Sequence, residues 1–151
     1  MILLPNERFM QEALKEAKKG FLKNEVPVGA VLVKDGRIIA RSYSKVKTLK
    51  DPTAHAEILV IKKAAKKLIN ERLNGCILYV TLEPCAMCAG ALVLARVEKI
   101  FYGAAEPKTG GIKSVFRITS SKKLNHRIKS EGGVLAKESS GLLRKFFKAR
   151  R

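Results

Sequence analysis

The segments DPTAHAE, residues 51–57, and TLEPCAMC, residues 81–88, bring three possible metal ligands to the starts of two predicted helices. These ligands are His55, Cys85 and Cys88. A thiolate is stabilised near a helix N-terminus, where unpaired backbone N–H groups and the helix dipole favour negative charge. The Cys-x-x-Cys spacing is also typical of metal and redox sites. The sequence therefore predicts a metal centre between two helix starts.

The number of available ligands indicates the kind of metal centre. A structural zinc site is normally closed by four protein ligands, whereas a catalytic site leaves one position for water. The remaining candidates, Cys76 and His126, lack ligand-pair spacing to the other three. We therefore predict one catalytic Zn²⁺ per chain, which lowers the pKa of a bound water to about 7. A structural zinc closed by Cys76 or His126 is the alternative.

Glu57 is the candidate catalytic residue, because it follows the first ligand by two positions and is not needed to bind the metal. A carboxylate there can take a proton from the activated water and pass it to a departing amine. Residues two apart in a regular helix point to nearly opposite sides, so we expect His55 to precede the regular helix. The alternative role for Glu57 is a first-turn acid that interacts with the helix dipole.

The whole chain, residues 1–151, alternates helical and strand patterns, which predicts a single domain with an α/β fold. No clear pattern covers residues 104–125. The first predicted elements are a helix capped by Asn6 and two strands, at 28–33 and 37–43, joined by an Asp35-Gly36 turn. A second helix is predicted to be capped within 50–53 and to bury Ile58, Ile61, Ala64, Ala65 and Leu68. The later predicted elements are a strand at 76–82, a helix from Pro84, strands at 99–103 and 127–130, and a helix at 136–149.

The charge balance points to an anionic partner, because 31 Lys and Arg residues oppose 13 Asp and Glu residues and leave a formal net charge of +18. Lysines and arginines that neutralise phosphates supply most non-specific affinity for nucleic acid. A merely solvated basic surface is the alternative. No apolar run approaches the roughly 18 residues that span a bilayer, so we expect a cytoplasmic protein without a membrane partner. Three cysteines cannot form a disulfide framework.

The two opening segments resemble the His-x-Glu and Pro-Cys-x-x-Cys motifs of the cytidine deaminase-like superfamily. Further matches at EVPVGA (25–30), LYVT (78–81), KTG (108–110) and LNHR (124–127) make the chain similar to bacterial tRNA-specific adenosine deaminases. The resemblance implies a three-layer α/β/α sandwich with a mixed five-stranded sheet, and a homodimer. It also implies that the wobble adenosine of a tRNA anticodon stem-loop is converted to inosine, with Glu57 as the proton shuttle.

The same resemblance implies a set of substrate contacts. Glu106 and Lys108 fall where the family meets the ribose and phosphates, and Ser44 stands where the family usually has an asparagine that reads the base edge. Glu106 replaces a usual aspartate, and Arg117 replaces a commonly acidic or polar residue. The residues expected to line the base pocket are Pro27, Val28, Ala56 and Leu82.

Two other functions remain as alternatives. One is a deaminase of free guanine or cytosine with the same fold. The charge of +18 and the basic C-terminal helix speak against it, because a free base needs no phosphate-binding surface. The other is a catalytically silent zinc module that binds RNA. The presence of Glu57 speaks against that function.

Overall fold

The computed structural model describes residues 3–150, so residues 1, 2 and 151 of the expected domain lie outside the described part. The strands are β1 (Gly29–Lys34), β2 (Arg37–Tyr43), β3 (Cys76–Leu82), β4 (Lys99–Ala104) and β5 (Lys129–Glu131). The helices are α1 (Pro5–Leu22), α2 (Val46–Leu49), α3 (Ala56–Leu68), α4 (Ala86–Leu94) and α5 (Ala136–Lys148). Within residues 3–150, no helix has the length and apolar character needed to cross a membrane.

The strands form one mixed sheet in the order β2-β1-β3-β4-β5. β1 is antiparallel to both β2 and β3, whereas β3, β4 and β5 are parallel to one another. The connection from β3 to β4 passes through α4, as a parallel pair requires. The carboxyl end of β3 therefore lies beside the N-terminus of α4, and this edge of the sheet carries the candidate site. The predicted mixed five-stranded sheet is confirmed.

Helices cover both faces of the sheet because side chains of the central strands point alternately to either side. On one face, Val31, Tyr79 and Phe101 pack beneath α1, and the Tyr79 and Phe101 rings stack with centroids 4.9 Å apart. On the other face, Leu32 and Leu78 pack against α3 and α4. α5 joins the α1 layer and contacts β4. These layers confirm the predicted three-layer sandwich.

Two helix starts differ from the sequence prediction. α1 is capped at Leu4 and not at Asn6, because Pro5 is well suited to the first turn of a helix. α4 begins at Ala86 and not at Pro84, because the backbone before it is engaged with the later loop. The Pro84 carbonyl accepts a hydrogen bond from Gly111 N–H at 2.7 Å, which holds this backbone extended.

Smaller differences affect the remaining elements. The first strand, predicted at 28–33, and the fifth, predicted at 127–130, are shifted by one or two residues, and α2 was not predicted. α3 begins after the 50–53 segment that was expected to cap it. The buried face of α3 centres on Val60 and Ala64. Ile58, which was predicted to be buried, does not belong to this face.

Candidate active site

The three predicted metal ligands meet at two neighbouring helix starts. His55 is the N-cap residue of α3 and Cys85 the N-cap residue of α4, while Cys88 lies in the first turn of α4. Their ligand atoms all lie within 4.8 Å of one another. His55 Nδ1 is 3.6 Å from Cys85 Sγ and 3.4 Å from Cys88 Sγ. The fold therefore converges the two segments that the sequence singled out.

These distances fit a tetrahedral zinc ion. Zinc binds thiolate sulfur at about 2.3 Å and imidazole nitrogen at about 2.0–2.1 Å, so two such ligands at the tetrahedral angle lie about 3.6 Å apart. Both observed sulfur–nitrogen separations are close to that value. Within residues 3–150, the group of possible ligands does not include Cys76 or His126. His126 Nε2 instead lies 2.7 Å from the Val97 carbonyl oxygen.

The cysteine sulfurs are electrostatically matched to a cation. A hydrogen bond from the Cys88 thiol, followed by one with His55, lowers the pKa of Cys85 to about 4. The same contact with Cys85, together with burial, raises the pKa of Cys88. The hydrogen bond with Cys85 also raises the pKa of His55. The Cys85 sulfur is therefore favoured as a thiolate, and the Cys88 thiol must release its proton when a cation binds.

Glu57 lies in the first turn of α3, and only 4% of its surface is exposed. Burial penalises the charged carboxylate and raises the pKa of Glu57 to about 7. His55 has extended backbone angles, with φ −70° and ψ 152°, so it precedes the regular helix as expected. Because His55 precedes the helix, its side chain and that of Glu57, two residues later, can face the same side of the site. A carboxyl group with a pKa near neutrality is suited to proton transfer.

A cavity of about 250 Å³ opens beside these residues. His55, Glu57 and Cys85 line it, as do most of the predicted substrate contacts, namely Val28, Ser44, Ala56, Leu82 and Glu106. Pro27 and Lys108 are not among its lining residues. Pro27 is buried, whereas Lys108 is exposed and donates its N–H to Glu106 Oε1 at 3.0 Å. Arg117 is exposed and does not line the cavity.

Sequence reasoning missed one wall of this cavity, formed by Val46 and Lys47 of α2. The buried carboxylate of Glu25, itself part of the lining, holds this wall. It accepts hydrogen bonds from Lys47 N–H at 3.1 Å, and from Thr48 N–H and the Thr48 hydroxyl at 2.6 Å each. Although burial opposes ionisation, these hydrogen bonds hold the pKa of Glu25 below its ordinary value. The sequence signal that could have indicated this wall is a glutamate, Glu25, next to an apolar strand pattern.

Thr109 and Glu83 form another part of the lining that was not predicted. Glu83 follows β3 directly, and 2% of its surface is exposed. Its carboxylate accepts hydrogen bonds from the backbone of the loop that carries Glu106 and Thr109. Burial opposes ionisation of Glu83, but a hydrogen bond from the Ser114 hydroxyl and those from the backbone together hold the pKa of Glu83 below its ordinary value. This cavity wall is thus tied to the segment that carries the two cysteines of the possible metal site.

Comparison with known proteins identifies the family of this chain. The chain matches the MafB19-like deaminase family over residues 5–151. It is 54% identical over 142 residues to a tRNA-specific adenosine deaminase of Aquifex aeolicus (strain VF5), with 94% of this chain and 93% of that protein covered. A guanine deaminase structure from Bacillus subtilis has 46% identity and a TM-score of 0.63, covering 66% of this chain and 64% of that one.

A further solved structure comes from studies of A-to-I editing by tRNA:A34 deaminases at the wobble position of transfer RNA. It has 48% identity to this chain and a TM-score of 0.87, and it covers 90% of this chain and 99% of that one. The guanine deaminase likeness extends over a smaller share of both chains. The chain therefore belongs to the MafB19-like deaminase family and, within it, to the tRNA-specific adenosine deaminases.

Proposed function

We propose that this protein hydrolytically deaminates the wobble adenosine of a tRNA anticodon to inosine. The observation that carries the proposal is a buried glutamate, Glu57, beside a His/Cys/Cys group that opens into a cavity of about 250 Å³. Such an arrangement combines a three-ligand metal site with a proton carrier, as hydrolytic deamination of a nucleobase requires. We also propose a cytoplasmic location, because the substrate is tRNA, and one domain over residues 1–151.

His55, Cys85 and Cys88 would hold one zinc ion per chain. When bound, zinc supplies an acidified water and an electrostatic contribution to the reaction. Glu57 takes a proton from the attacking water and delivers a proton to the departing amine. A bond forms between the water oxygen and C6 of adenine, the bond from C6 to the exocyclic nitrogen breaks, and ammonia leaves.

The cavity walls fit a flat base with a polar edge. Val28, Ala56 and Leu82 offer apolar surface to the base, and Ser44 lies among them with its backbone N–H bonded to the Val28 carbonyl at 3.0 Å. The Ser44 hydroxyl would contact the base edge. Glu106 would accept a hydrogen bond from the ribose 2′-hydroxyl, which distinguishes RNA from DNA.

Two predicted contacts would act from outside the cavity. Lys108 is exposed beside Glu106 and would meet a phosphate of the anticodon loop. Pro27 is buried next to Val28 and would support that wall without touching the base. The net charge of +18 supports an extended polyanionic substrate more than a free base.

Incubation of the purified zinc-loaded protein with total tRNA, followed by inosine mapping, tests the proposal. We expect inosine at the wobble position, and far less of it in reactions of the same duration with a Glu57→Gln variant. The likeness to guanine deaminase supports a second candidate, so free guanine is assayed in parallel. Turnover of guanine without any inosine in tRNA would favour the guanine deaminase over the proposed tRNA adenosine deaminase. RNA binding without either product would favour the silent zinc module.

We further propose that the protein is a homodimer that buries the outer face of α4. Every residue of this helix is apolar, and such a helix is normally covered on all sides. Leu94 is 82% exposed and Met87 38% exposed. A side-chain carbon added at Gly90, between them, would meet no atom of the described residues within 4 Å apart from its chain neighbours and the backbone of its own helix. The face is therefore apolar and open to the close approach of another backbone.

Sedimentation analysis tests the dimer proposal. Leu94→Glu should yield a monomer, because it introduces a charge into the proposed contact. Leu22, which is 81% exposed at the end of α1, offers a matched control. Leu22→Glu should stay dimeric. A dimer that survives Leu94→Glu would contradict the proposed interface, and a monomeric wild type would contradict the dimer itself.

A further inference from the structure

The segment 105–115 forms part of the cavity wall but lies outside the named strands and helices. Its sheet-like pairing is one isolated bridge between Gly110 and Cys85, beside which the Gly111 N–H donates to the Pro84 carbonyl at 2.7 Å. Glu106 and Thr109 nevertheless line the cavity. A segment without a sheet ladder needs other partners for its backbone N–H groups.

The carboxylate of Glu83 accepts hydrogen bonds from four of these backbone N–H groups. Its Oε1 accepts the N–H of Glu106 at 3.0 Å, and its Oε2 accepts the N–H groups of Ile112, Lys113 and Ser114 at 3.2, 2.9 and 3.0 Å. The Ser114 hydroxyl donates to Oε1 as well. One buried carboxylate thus gathers donors from both ends of the segment, and a charged acceptor makes each bond stronger than a neutral one would.

The close packing around this carboxylate leaves little freedom for the segment. A side-chain carbon at Gly110 would overlap the carboxyl group of Glu83, and one at Gly111 would lie 2.7 Å from the Cys85 carbonyl oxygen. Both glycines are buried, and neither has a backbone angle that only glycine adopts readily. Space, and not backbone conformation, therefore favours glycine at both positions.

We propose that Glu83 is a positioning residue that sets affinity for the nucleotide substrate by holding Glu106 and Thr109 in the cavity wall. The proposal rests on the proposed function, because Glu106 and Thr109 matter only if a nucleotide occupies the cavity. Glu83 itself joins no bond-making step. It acts through the loop, whereas Glu57 acts on the reacting atoms, so the two glutamates should have separable kinetic effects.

Glu83→Gln separates these effects, because the substitution keeps the size of the side chain and places an amide donor against backbone donors. We expect Glu83→Gln to raise KM for an anticodon stem-loop about tenfold or more, the factor for losing a hydrogen bond to a charged group. The value of kcat should stay within about twofold, as when binding common to substrate and transition state is lost. Zinc content should remain one per chain.

Glu98→Gln is the matched control, because Glu98 is exposed and the same charge is removed. It should leave both constants unchanged. Unchanged KM in Glu83→Gln, or a fall in kcat alone, would overturn the inference while leaving the proposed function intact. Failure of wild type and Glu98→Gln to form inosine would instead count against the proposed function.

If Glu83→Gln does not fold, two further variants test whether Glu83 positions the cavity wall. Ser114→Ala removes one donor to the carboxylate and should raise KM by a smaller factor. Gly110→Ala crowds the carboxylate without changing any charge and should raise KM in the same direction. Folded Ser114→Ala and Gly110→Ala proteins with wild-type KM would contradict the positioning role.

Discussion

Replacement of Glu57 by glutamine should stabilise the zinc-free protein while greatly slowing the zinc-loaded enzyme. Burial raises the pKa of this carboxyl group from its ordinary 4.5 to about 7. The folded state therefore holds the proton more tightly than the unfolded state, and the ionised group opposes folding. Stability from this group is complete below about pH 4.5 and is lost as the pH rises to about 7.

The size of the effect follows from the two pKa values. At about 1.4 kcal/mol per pKa unit, the difference between 4.5 and about 7 corresponds to about 3 kcal/mol of folding free energy above pH 7. Glutamine carries no charge to bury and avoids this cost. The same substitution removes the proton carrier, which typically contributes about 10²–10⁴-fold to a rate. Zinc content should be unchanged, because Glu57 is not among the three ligands.

Denaturant unfolding of chelator-treated wild type and Glu57→Gln at pH 5 and pH 8 measures the first effect. Wild type should lose stability relative to the variant between these pH values. Glu98→Gln provides the control for a lost surface charge. Parallel pH dependence in wild type and Glu57→Gln would refute the buried-carboxylate reasoning. Near-normal turnover of zinc-loaded Glu57→Gln would refute its role as the proton shuttle.

Four further outcomes are expected. Cys88→Ala should lose both zinc and deamination, as metal analysis and inosine assays would reveal. Ser44→Asn should raise the ratio of adenosine to cytidine deamination on matched hairpins, because a carboxamide offers the base edge both a donor and an acceptor; an unchanged ratio would locate specificity elsewhere. Lys108→Ala should reduce the salt dependence of stem-loop affinity by about one phosphate contact. In denaturant unfolding, Glu25→Gln should lose less stability than wild type as the pH falls below the ordinary glutamate pKa of 4.5, because hydrogen bonds outweigh burial and lower the pKa of Glu25 in the folded state.

Features set by short-range chemistry were predictable from the sequence. The three possible metal ligands and Glu57 lie within two segments whose residue types already indicate a metal-dependent chemistry, and the fold brings those three side chains together. The strand at Arg37–Tyr43 was predicted with its observed bounds, because a tight turn at Asp35-Gly36 fixes where it starts. Helix starts were less predictable. Asn6 and Pro5 both favour a start near the same position, and the proline determined the outcome.

The unpredicted cavity walls depend on contacts between residues far apart in the chain. Glu25 bonds to Lys47 and Thr48 across 22 and 23 positions, and Glu83 bonds to the loop 23 to 31 positions later. No local pattern specifies such pairs. A glutamate next to an apolar strand pattern is nevertheless informative, because a buried carboxylate must be paired with several donors. Glu25 and Glu83 each satisfy that requirement with backbone N–H groups of irregular or short elements, and thereby fix the cavity walls that the strands alone do not build.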